Sequence, residues 1–232
     1  MSMTAGKQAA ARAAAGLITS GMKVGLGTGS TAAFLVDELI ERSRIEKLDI
    51  TCVATSQVTQ KQAEEGGLQV LELKEVGVLD IVIDGADEID PLGQLIKGGG
   101  GAAVRELIVA MAARHYVVIA TPSKHVEVLG SFPLPIFVLP HAHEVTIERI
   151  AEICPGDVGL RAPPRPSVDE HGLMIVDAHF GPCINNPAST RSVLLDIAGV
   201  VDVGLFIDIA DTAILGQTDG TVTTIEFSRR HR

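Results

Sequence analysis

The sequence lacks several features that would assign it to a common class. Its three cysteines, Cys52, Cys154 and Cys183, are odd in number and widely spaced, so they predict neither a disulfide framework nor a zinc site. This cysteine usage fits a reducing compartment, and we expect the protein to be cytoplasmic. No apolar run reaches the length of a membrane span. The alanine-rich start is interrupted by Arg12 and has no long apolar core, so we expect no signal peptide.

Positive charge is also scarce. The chain has 19 Lys and Arg residues against 29 Asp and Glu residues, a formal net charge of −10 at pH 7. A nucleic-acid surface normally shows a basic stripe, so we expect neither a nucleic-acid partner nor a membrane partner. An anionic ligand must then be held by local lysines and backbone amides against an unfavourable overall field. The 232 residues, 46% of them hydrophobic, are otherwise typical of a globular protein with an ample core.

The stretch between Leu79 and Leu107 holds the densest group of candidate functional residues. Ile81–Ile83 form a continuous apolar run, which is typical of a parallel strand covered on both faces. Asp84 and Asp87 follow the carboxyl end of that strand. In open α/β sheets this is the edge where ligands bind.

A lysine, four glycines and a predicted helix follow in the same stretch. Lys97 precedes Gly98–Gly101, and such a loop lets a ligand approach the main chain closely. Glu106 falls near the first turn of the helix, where the helix dipole favours an ionised carboxylate. Each feature has an ordinary alternative: a turn at Asp84–Asp87, a flexible linker, and first-turn charge. Their joint occurrence between a buried strand and a helix predicts a functional site.

A second glycine-rich turn lies nearer the start of the chain. The predicted strand Lys23–Leu26 runs through Gly27-Thr28-Gly29 into a helix. Backbone amides and the helix dipole make such a turn an anion site, and we expect Ser30 and Thr31 to cap the helix. The alternative is a purely structural turn between strand and helix.

Missing residues narrow the choice of anion. The dinucleotide pattern G-x-G-x-x-G fails because Ser30 stands at the third glycine position. The next strand ends in Thr55-Ser56-Gln57, without the acidic residue that would hold a ribose hydroxyl. No P-loop motif is present. The turn therefore predicts a small phosphate or carboxylate site. Lys124 follows a later strand at the same sheet edge, either as a ligand contact or as an ordinary surface lysine.

The order of predicted elements gives an α/β fold class. Alternating strands and helices up to residue 120 predict a Rossmann-like parallel sheet. A proline-punctuated crossing then leads into a βαββαβ order, ending in a strand Val200–Ile207, that matches a ferredoxin-like unit. A hairpin around Thr218-Asp219-Gly220 is expected to return to the first sheet. We thus expect residues 1–131 and 207–232 to form the catalytic domain, and 132–206 to form an inserted smaller α+β domain.

Two further segments have ordinary explanations. His141 and His143 would suit a metal site on one face of a strand, but the adjacent prolines and helix start favour a loop. Ser228–Arg232 is most simply a solvated tail.

The chain resembles the A-type ribose-5-phosphate isomerases along nearly its whole length. The matching segments are, in order, GLGTGSTAAFLVDEL (25–39), DIVIDGADEIDPLGQLIKGGGGAAVRE (80–106), ATPSKHVEVLGSFPLP (120–135), GLMIVDAHF (172–180) and GVVDVGLF (199–206). The second segment is highly specific and the last two are weaker. The chain departs from the family at 169–172, where Asp-Asn-Gly-Asn is common, and at Val203, where histidine is frequent.

The resemblance implies reversible conversion of D-ribose 5-phosphate to D-ribulose 5-phosphate in the non-oxidative pentose phosphate pathway, without a metal or a cofactor. It also implies that Glu106 is the base that moves a proton between C2 and C1. Lys97 and Asp84 would stabilise the enediolate and assist ring opening, and Asp87 would hold sugar hydroxyls.

The substrate-binding residues implied by the same motifs are Thr28, Gly29, Ser30, Thr31, Asp84, Gly85, Ala86, Asp87, Lys97, Gly98, Gly99, Gly100 and Lys124. Lys7 is left out because its helix carries no specific motif. The implied partner is a small phosphorylated sugar, and we expect a homodimer or homotetramer.

The residue types suit this chemistry independently of the resemblance. Proton transfer next to a carbonyl needs one positioned carboxylate and a group that holds the oxyanion. No nucleophile is required, in agreement with the lack of a Ser-His or Cys-His signature. Two other classes stay open. A sugar-phosphate-sensing module need not retain all four candidate catalytic residues, and an acyl-CoA transferase with a glutamate nucleophile would form a covalent acyl-enzyme.

Overall fold

The protein is described by a computed structural model over residues 3–181 and 183–228. Its helices are α1 (Met3–Ala15), α2 (Ser30–Ile45), α3 (Gln57–Glu65), α4 (Leu73–Val76), α5 (Ala103–Met111), α6 (His143–Ala151) and α7 (Pro187–Leu195). Its strands are β1 (Lys23–Leu26), β2 (Thr51–Ala54), β3 (Gln69–Val70), β4 (Leu79–Asp84), β5 (Glu88–Ile89), β6 (Leu95–Ile96), β7 (Ala113–Ala120), β8 (Leu134–Val138), β9 (Val158–Leu160), β10 (Met174–Ala178), β11 (Val200–Val203), β12 (Leu205–Phe206), β13 (Thr212–Gly216) and β14 (Val222–Glu226). The predicted tail beyond Ser228 lies outside the described residues.

Backbone contacts divide the chain into two units. The first contains the residues up to Ala86, Arg105–His125 and the residues from Asp208 on, and the second contains Asp87–Val104 and Val126–Ile207. The sequence-based limits assign 87–104 to the first domain. By contacts this segment belongs to the second unit, because β5 and β6 pair with each other and β6 pairs with β12. Which segments fold together as autonomous domains stays a prediction.

The first unit is built on a seven-stranded sheet in the order β14-β13-β7-β4-β1-β2-β3. All neighbours are parallel except the terminal hairpin of β13 and β14. Parallel neighbours need crossover connections, which here include helices. The predicted Rossmann-like sheet is therefore confirmed, and so is the return of the hairpin, since β13 pairs with β7.

The apolar runs in the sequence correspond to the central strands of this sheet. Val24 and Leu26 in β1, and Ile81 and Ile83 in β4, are buried in one core cluster with residues of α1 and α2. The side chains of a strand alternate between the two faces of a sheet, so a strand covered on both faces has apolar residues at consecutive positions. The apolar run Ile81–Ile83 accordingly stops one residue before the end of β4 at Asp84.

The second unit contains a four-stranded antiparallel sheet in the order β11-β8-β10-β9. In chain order these are the fourth, first, third and second strands of a βαββαβ unit, which confirms the ferredoxin-like prediction. Ile150 of α6 and Leu194 of α7 are buried in one cluster with Ile136, Val138 and Val176 of the sheet. The helices therefore cover the sheet through a shared apolar core.

The predicted strand Val200–Ile207 is wrong in one respect, because the structure divides it at Gly204. β11 pairs with β8 in the four-stranded sheet, whereas β12 pairs with β6 in a separate three-stranded sheet. Gly204 donates its N–H to the Pro135 carbonyl at 2.7 Å and accepts from the Lys97 N–H at 2.9 Å. A Cβ at this position would overlap the Lys97 carbonyl oxygen, so only glycine allows the strand to change partners here.

None of the described helices has the length and apolar character needed to cross a membrane.

Close packing of α1 on β13 gives a first prediction. A Cβ at Gly216 would overlap the carbonyl oxygen of Gly6 and lie 2.7 Å from the Ala10 amide nitrogen. Gly216→Ala should therefore lower the free energy of unfolding by about 1–3 kcal/mol, as overpacking usually does. Urea unfolding measures this change. Gly159→Ala is the matched control, because no atom lies within 4 Å of the added Cβ. Equal stability of the two variants would contradict the packing argument.

The buried cysteine of β2 gives a second prediction. Burial raises the pKa of the Cys52 thiol to about 12, and the thiolate is the reactive form. In the folded protein near pH 8, Cys52 should therefore react with an alkylating reagent on the order of 10³-fold more slowly than an unperturbed thiol. Peptide mapping after timed alkylation checks this. The half-buried Cys183 is the internal control, and equal labelling of the two residues in folded protein would contradict the prediction.

Candidate active site

The glycine turn after β1 forms the first part of the site. Gly29 takes the cap position of α2 with φ 106° and makes no side-chain cap hydrogen bond. The expectation that Ser30 and Thr31 cap the helix is therefore wrong, since both are helical residues. The left-handed φ favours glycine at the cap. The amides of the first turn of α2 thus lie next to the glycine turn, as in helix N-termini that bind anions.

Lys7 reaches this helix terminus from a different part of the chain. Its Nζ donates to the Ser30 hydroxyl oxygen at 2.8 Å. Lys7 lies on α1, which packs against α2 through buried alanines such as Ala10 and Ala14. The structure therefore adds a cation that sequence reasoning left out. The packing of α1 against α2 places Lys7 at this helix terminus, and a search for sequence motifs cannot detect such packing.

A cluster of hydroxyl groups holds the side chain of Thr28. Its Oγ1 lies 2.7 Å from the Thr55 hydroxyl oxygen, 2.9 Å from that of Ser56 and 3.3 Å from that of Thr59. The Thr55 and Thr59 hydroxyls in turn donate to the carbonyls of Leu26 and Gly27, each at 3.0 Å. The predicted substrate residue Thr28 is thus fixed by three side chains that follow β2. In the sequence, the indication of this cluster was that the three residues follow a strand that ends at the same sheet edge as β1.

Asp84 is the last residue of β4 and is fully buried. Its Oδ1 accepts hydrogen bonds from the N–H groups of Thr28 at 2.9 Å and Gly85 at 2.7 Å. A Cβ at Gly27 would overlap this carboxylate. Gly27 is therefore required for the approach of Asp84 to the turn, and the two predicted sites are joined by charge-assisted hydrogen bonds. Gly85 and Ala86 are half-buried beside it.

Glu106 and Lys124 belong to the same unit. Glu106 lies in the first turn of α5 and is 5% exposed. Because α5 leads into β7 through the single residue Ala112, the first turn of α5 lies toward the carboxyl edge of the sheet. Lys124 ends a short 3₁₀ turn directly after β7 and is half-buried. Both residues therefore lie toward the sheet edge at which Asp84 ends β4.

In the second unit, Asp87 and Gly99 are held together by a short hydrogen bond. The Gly99 N–H donates to Asp87 Oδ2 at 2.7 Å, and the Asp87 N–H donates to the Ile96 carbonyl at 2.9 Å. A Cβ at Gly99 would lie 2.6 Å from Asp87 Oδ1 and 2.9 Å from Phe132. The Asp87 carboxylate therefore approaches the glycine loop closely and accepts a hydrogen bond from it, which is not expected of a flexible linker.

Lys97 is buried in the same unit, with only 2% of its surface exposed. Its Nζ lies 5.5 Å from the centre of the Phe206 ring, within the range of a cation–π interaction. Gly98, the next residue, has φ 101°, and a Cβ there would lie 3.0 Å from the Ala103 side chain. The loop geometry that follows Lys97 therefore requires glycine. Gly100 has open space around its Cα.

The predicted site residues thus fall into two sets. The first unit contains Thr28–Thr31, Asp84–Ala86, Glu106 and Lys124, and the second contains Asp87 and Lys97–Gly100. The first set provides an amide-rich turn and two buried carboxylates, and the second provides an amide-rich turn and a buried ammonium group. These are groups that bind an anion, exchange a proton with carbon and stabilise an oxyanion.

Within 3–181 and 183–228 no cluster of three or more His, Cys, Asp or Glu side chains is arranged to hold a metal ion. His141 lies in a turn ahead of α6, and His143 is the first residue of that helix. The loop interpretation of this segment therefore agrees with the structure up to Ala142.

Comparisons with known proteins agree with one another. A family model described as ribose 5-phosphate isomerase A (phosphoriboisomerase A) matches residues 51–220. A relative from Dinoroseobacter shibae, named ribose-5-phosphate isomerase A, is 47% identical over 223 residues, covering 93% of this chain and 85% of the relative.

Solved structures of similar proteins give the same result. The ribose 5-phosphate isomerase of Plasmodium falciparum aligns with a TM-score of 0.92 at 32% identity, covering 97% of this chain and 99% of that one. A D-ribose-5-phosphate isomerase in complex with phospho-erythronic acid also aligns with a TM-score of 0.92, at 35% identity, covering 97% of this chain and 100% of that one.

Proposed function

The chain belongs to the ribose 5-phosphate isomerase A family, whose members interconvert D-ribose 5-phosphate and D-ribulose 5-phosphate, and we propose that it does so through an enediolate intermediate with Glu106 as the base. The observation that carries the proposal is the buried carboxylate of Glu106 in the first turn of α5. A carboxylate withdrawn from bulk water near the positive end of a helix dipole is suited to accept and return a proton.

In the proposed reaction Glu106 removes the proton from C2 of the open-chain aldose. The electron pair moves into the C1–C2 bond and the carbonyl oxygen at C1 becomes an oxyanion. Lys97 and Asp84 stabilise this enediolate and assist the preceding ring opening, and Asp87 holds the sugar hydroxyls. Return of the proton from Glu106 to C1, with transfer of a hydroxyl proton from O2 to O1, gives the ketose. One carboxylate serves both steps, so no nucleophile or redox group is needed.

The phosphate end of the substrate is assigned to the turn at Thr28–Thr31. The amides at the start of α2 and the Lys7 ammonium, 2.8 Å from the Ser30 hydroxyl oxygen, support this assignment. Lys124 is proposed as a further cation. Binding energy gained at the phosphate, remote from the reacting carbons, would position C1 and C2 for proton transfer.

The ligand of one structural neighbour supports a phosphorylated sugar as substrate. Phospho-erythronic acid, bound by that D-ribose-5-phosphate isomerase, is a four-carbon sugar acid phosphate. Its carboxylate carries negative charge on two oxygens bonded to one carbon, similar to the charge of an enediolate. A site that binds such a compound is expected to stabilise the intermediate more than the substrate.

The cellular setting and assembly follow as part of the same proposal. The free cysteines fit the reducing cytoplasm, where the reaction belongs to the non-oxidative pentose phosphate pathway. Ile108 and Met111, one turn apart on α5, are 55% and 66% exposed. Exposed apolar side chains close together are typical of contact surfaces, and we propose a homodimer or homotetramer.

Replacement of the proposed base tests the mechanism. Glu106→Gln should lower kcat by at least about 10²-fold with a small change in KM, because it removes the proton acceptor and keeps the shape. A coupled assay of ketose formation from ribose 5-phosphate, with EDTA present, measures both constants. Glu144→Gln is the matched control, since Glu144 also lies in the first turn of a helix but is exposed. Near-normal turnover of Glu106→Gln would remove Glu106 from the base role.

The phosphate assignment is tested at Lys7 and Thr31. Lys7→Ala and Thr31→Ala should each raise KM for ribose 5-phosphate by about tenfold with little change in kcat. The reason is that the lost contact stabilises the bound substrate and the transition state equally. Inhibition by inorganic phosphate should weaken in parallel. Lys61→Ala, at an exposed lysine of α3, is the control for the loss of one positive charge. An unchanged KM in both variants would mean that the phosphate binds elsewhere.

A further inference from the structure

A buried ion pair lies in the second unit, and neither of its residues is among the catalytic or substrate-binding residues that the family resemblance implies. The side chains of Arg161 and Asp177 are 0% and 8% exposed. Arg161 donates from Nε to Asp177 Oδ1 at 3.0 Å and from its NH2 nitrogen to the same oxygen at 2.8 Å. Burying such a pair has a large desolvation cost, so a buried pair is weak evidence for stability alone. Its remaining contacts indicate another role.

The third nitrogen of the Arg161 guanidinium contacts the glycine loop. The NH1 nitrogen donates to the Gly98 carbonyl at 2.9 Å and to the Gly99 carbonyl at 3.3 Å. One guanidinium thus holds a carboxylate on one edge and two consecutive peptide carbonyls on another. The planar fork of arginine allows this arrangement, which the single ammonium of lysine cannot reproduce.

Fixing these carbonyls also fixes the direction of two amides. In a planar trans peptide the C=O group and the following N–H point in opposite directions. The Gly98 carbonyl faces Arg161, so the Gly99 N–H points the other way, and it donates to Asp87 Oδ2 at 2.7 Å. By the same rule the Gly99 carbonyl directs the Gly100 N–H away from Arg161, and no atom lies within 4 Å of the position that a Cβ would take at Gly100.

A loop of four glycines needs such an anchor. Glycine loses more backbone freedom on ordering than any other residue, and Gly98 and Gly101 both have positive φ values. Donors that stabilise a developing charge are effective only when their direction is fixed before the reaction. Asp177 holds the Arg161 guanidinium in place through its hydrogen bonds. It also accepts a hydrogen bond from Arg165 at 2.6 Å. Arg165 is 39% exposed in its side chain.

We propose that Arg161 and Asp177 are positioning residues that aim the Gly100 amide for stabilisation of the enediolate and, through the Gly99 N–H, hold the Asp87 carboxylate in place. This inference rests on the proposed function and on the substrate-binding role of Gly98–Gly100 that the family resemblance implies. Arg161 acts through the carbonyls of the loop and Asp177 acts through Arg161.

The test compares inhibition constants, which do not depend on the fraction of folded enzyme. Arg161→Lys should raise the inhibition constant of phospho-erythronic acid and lower kcat, each on the order of 10²-fold, as for a misplaced catalytic group. Asp177→Asn should change both in the same direction by less. The inhibition constant of inorganic phosphate should stay within about twofold of wild type in both variants, because phosphate binding does not use the loop. Arg165→Lys is the control, because Arg165 also bonds to Asp177, whereas the carbonyls of the glycine loop bond to Arg161. This variant should leave kcat and both inhibition constants near their wild-type values.

Three outcomes would overturn the positioning role. One is unchanged binding of phospho-erythronic acid to active Arg161→Lys enzyme. Another is equal weakening of phospho-erythronic acid and phosphate. The third is loss of the cooperative thermal transition in both Arg161→Lys and Asp177→Asn, which would assign the pair to fold stability. Failure of the proposed function is distinct, because the wild-type protein would then form no ketose from ribose 5-phosphate.

Discussion

The hydrogen bonds of the Asp84 carboxylate are the interaction on which the first half of the site depends. The carboxylate accepts the Thr28 and Gly85 amides and needs the space left by the missing side chain of Gly27. A strand end and a neighbouring strand-to-helix turn are thereby locked together. A buried carboxylate without such donors would be strongly destabilising, so the two amides and the space left by Gly27 are what allow Asp84 to be buried here.

The glycines of the two turns have different physical roles. Gly27 and Gly99 leave room for the carboxylates of Asp84 and Asp87, whereas Gly29 and Gly98 adopt positive φ values that direct the chain. Under the proposed function, both turns hold an anion through backbone amides, which carry no net charge. In a chain with a formal net charge of −10, fixed amide dipoles would attract a phosphorylated sugar locally where the overall field does not.

The sequence predicted much of the site because its signals are local. The apolar run of β4 ends at Asp84, so the strand end and its functional edge could be read directly. The position of Glu106 follows from helical periodicity, and the specific motif at 80–106 indicates the family without structural information. The cap of α2 was misassigned to Ser30 and Thr31, since capping propensity does not reveal that a glycine with positive φ takes that position.

By itself the sequence determined the fold class and the family and supplied the candidate residues of the site, because hydrophobic periodicity and glycine spacing act over a few neighbouring residues. Only the tertiary structure decided which distant groups support them. Lys7 meets Ser30 across 23 residues of chain, and Arg161 meets Gly98 across 63. The change of sheet partner at Gly204 is likewise set by Lys97 and Pro135. Such contacts depend on how packed elements bring remote segments together, and a local sequence pattern does not specify that packing.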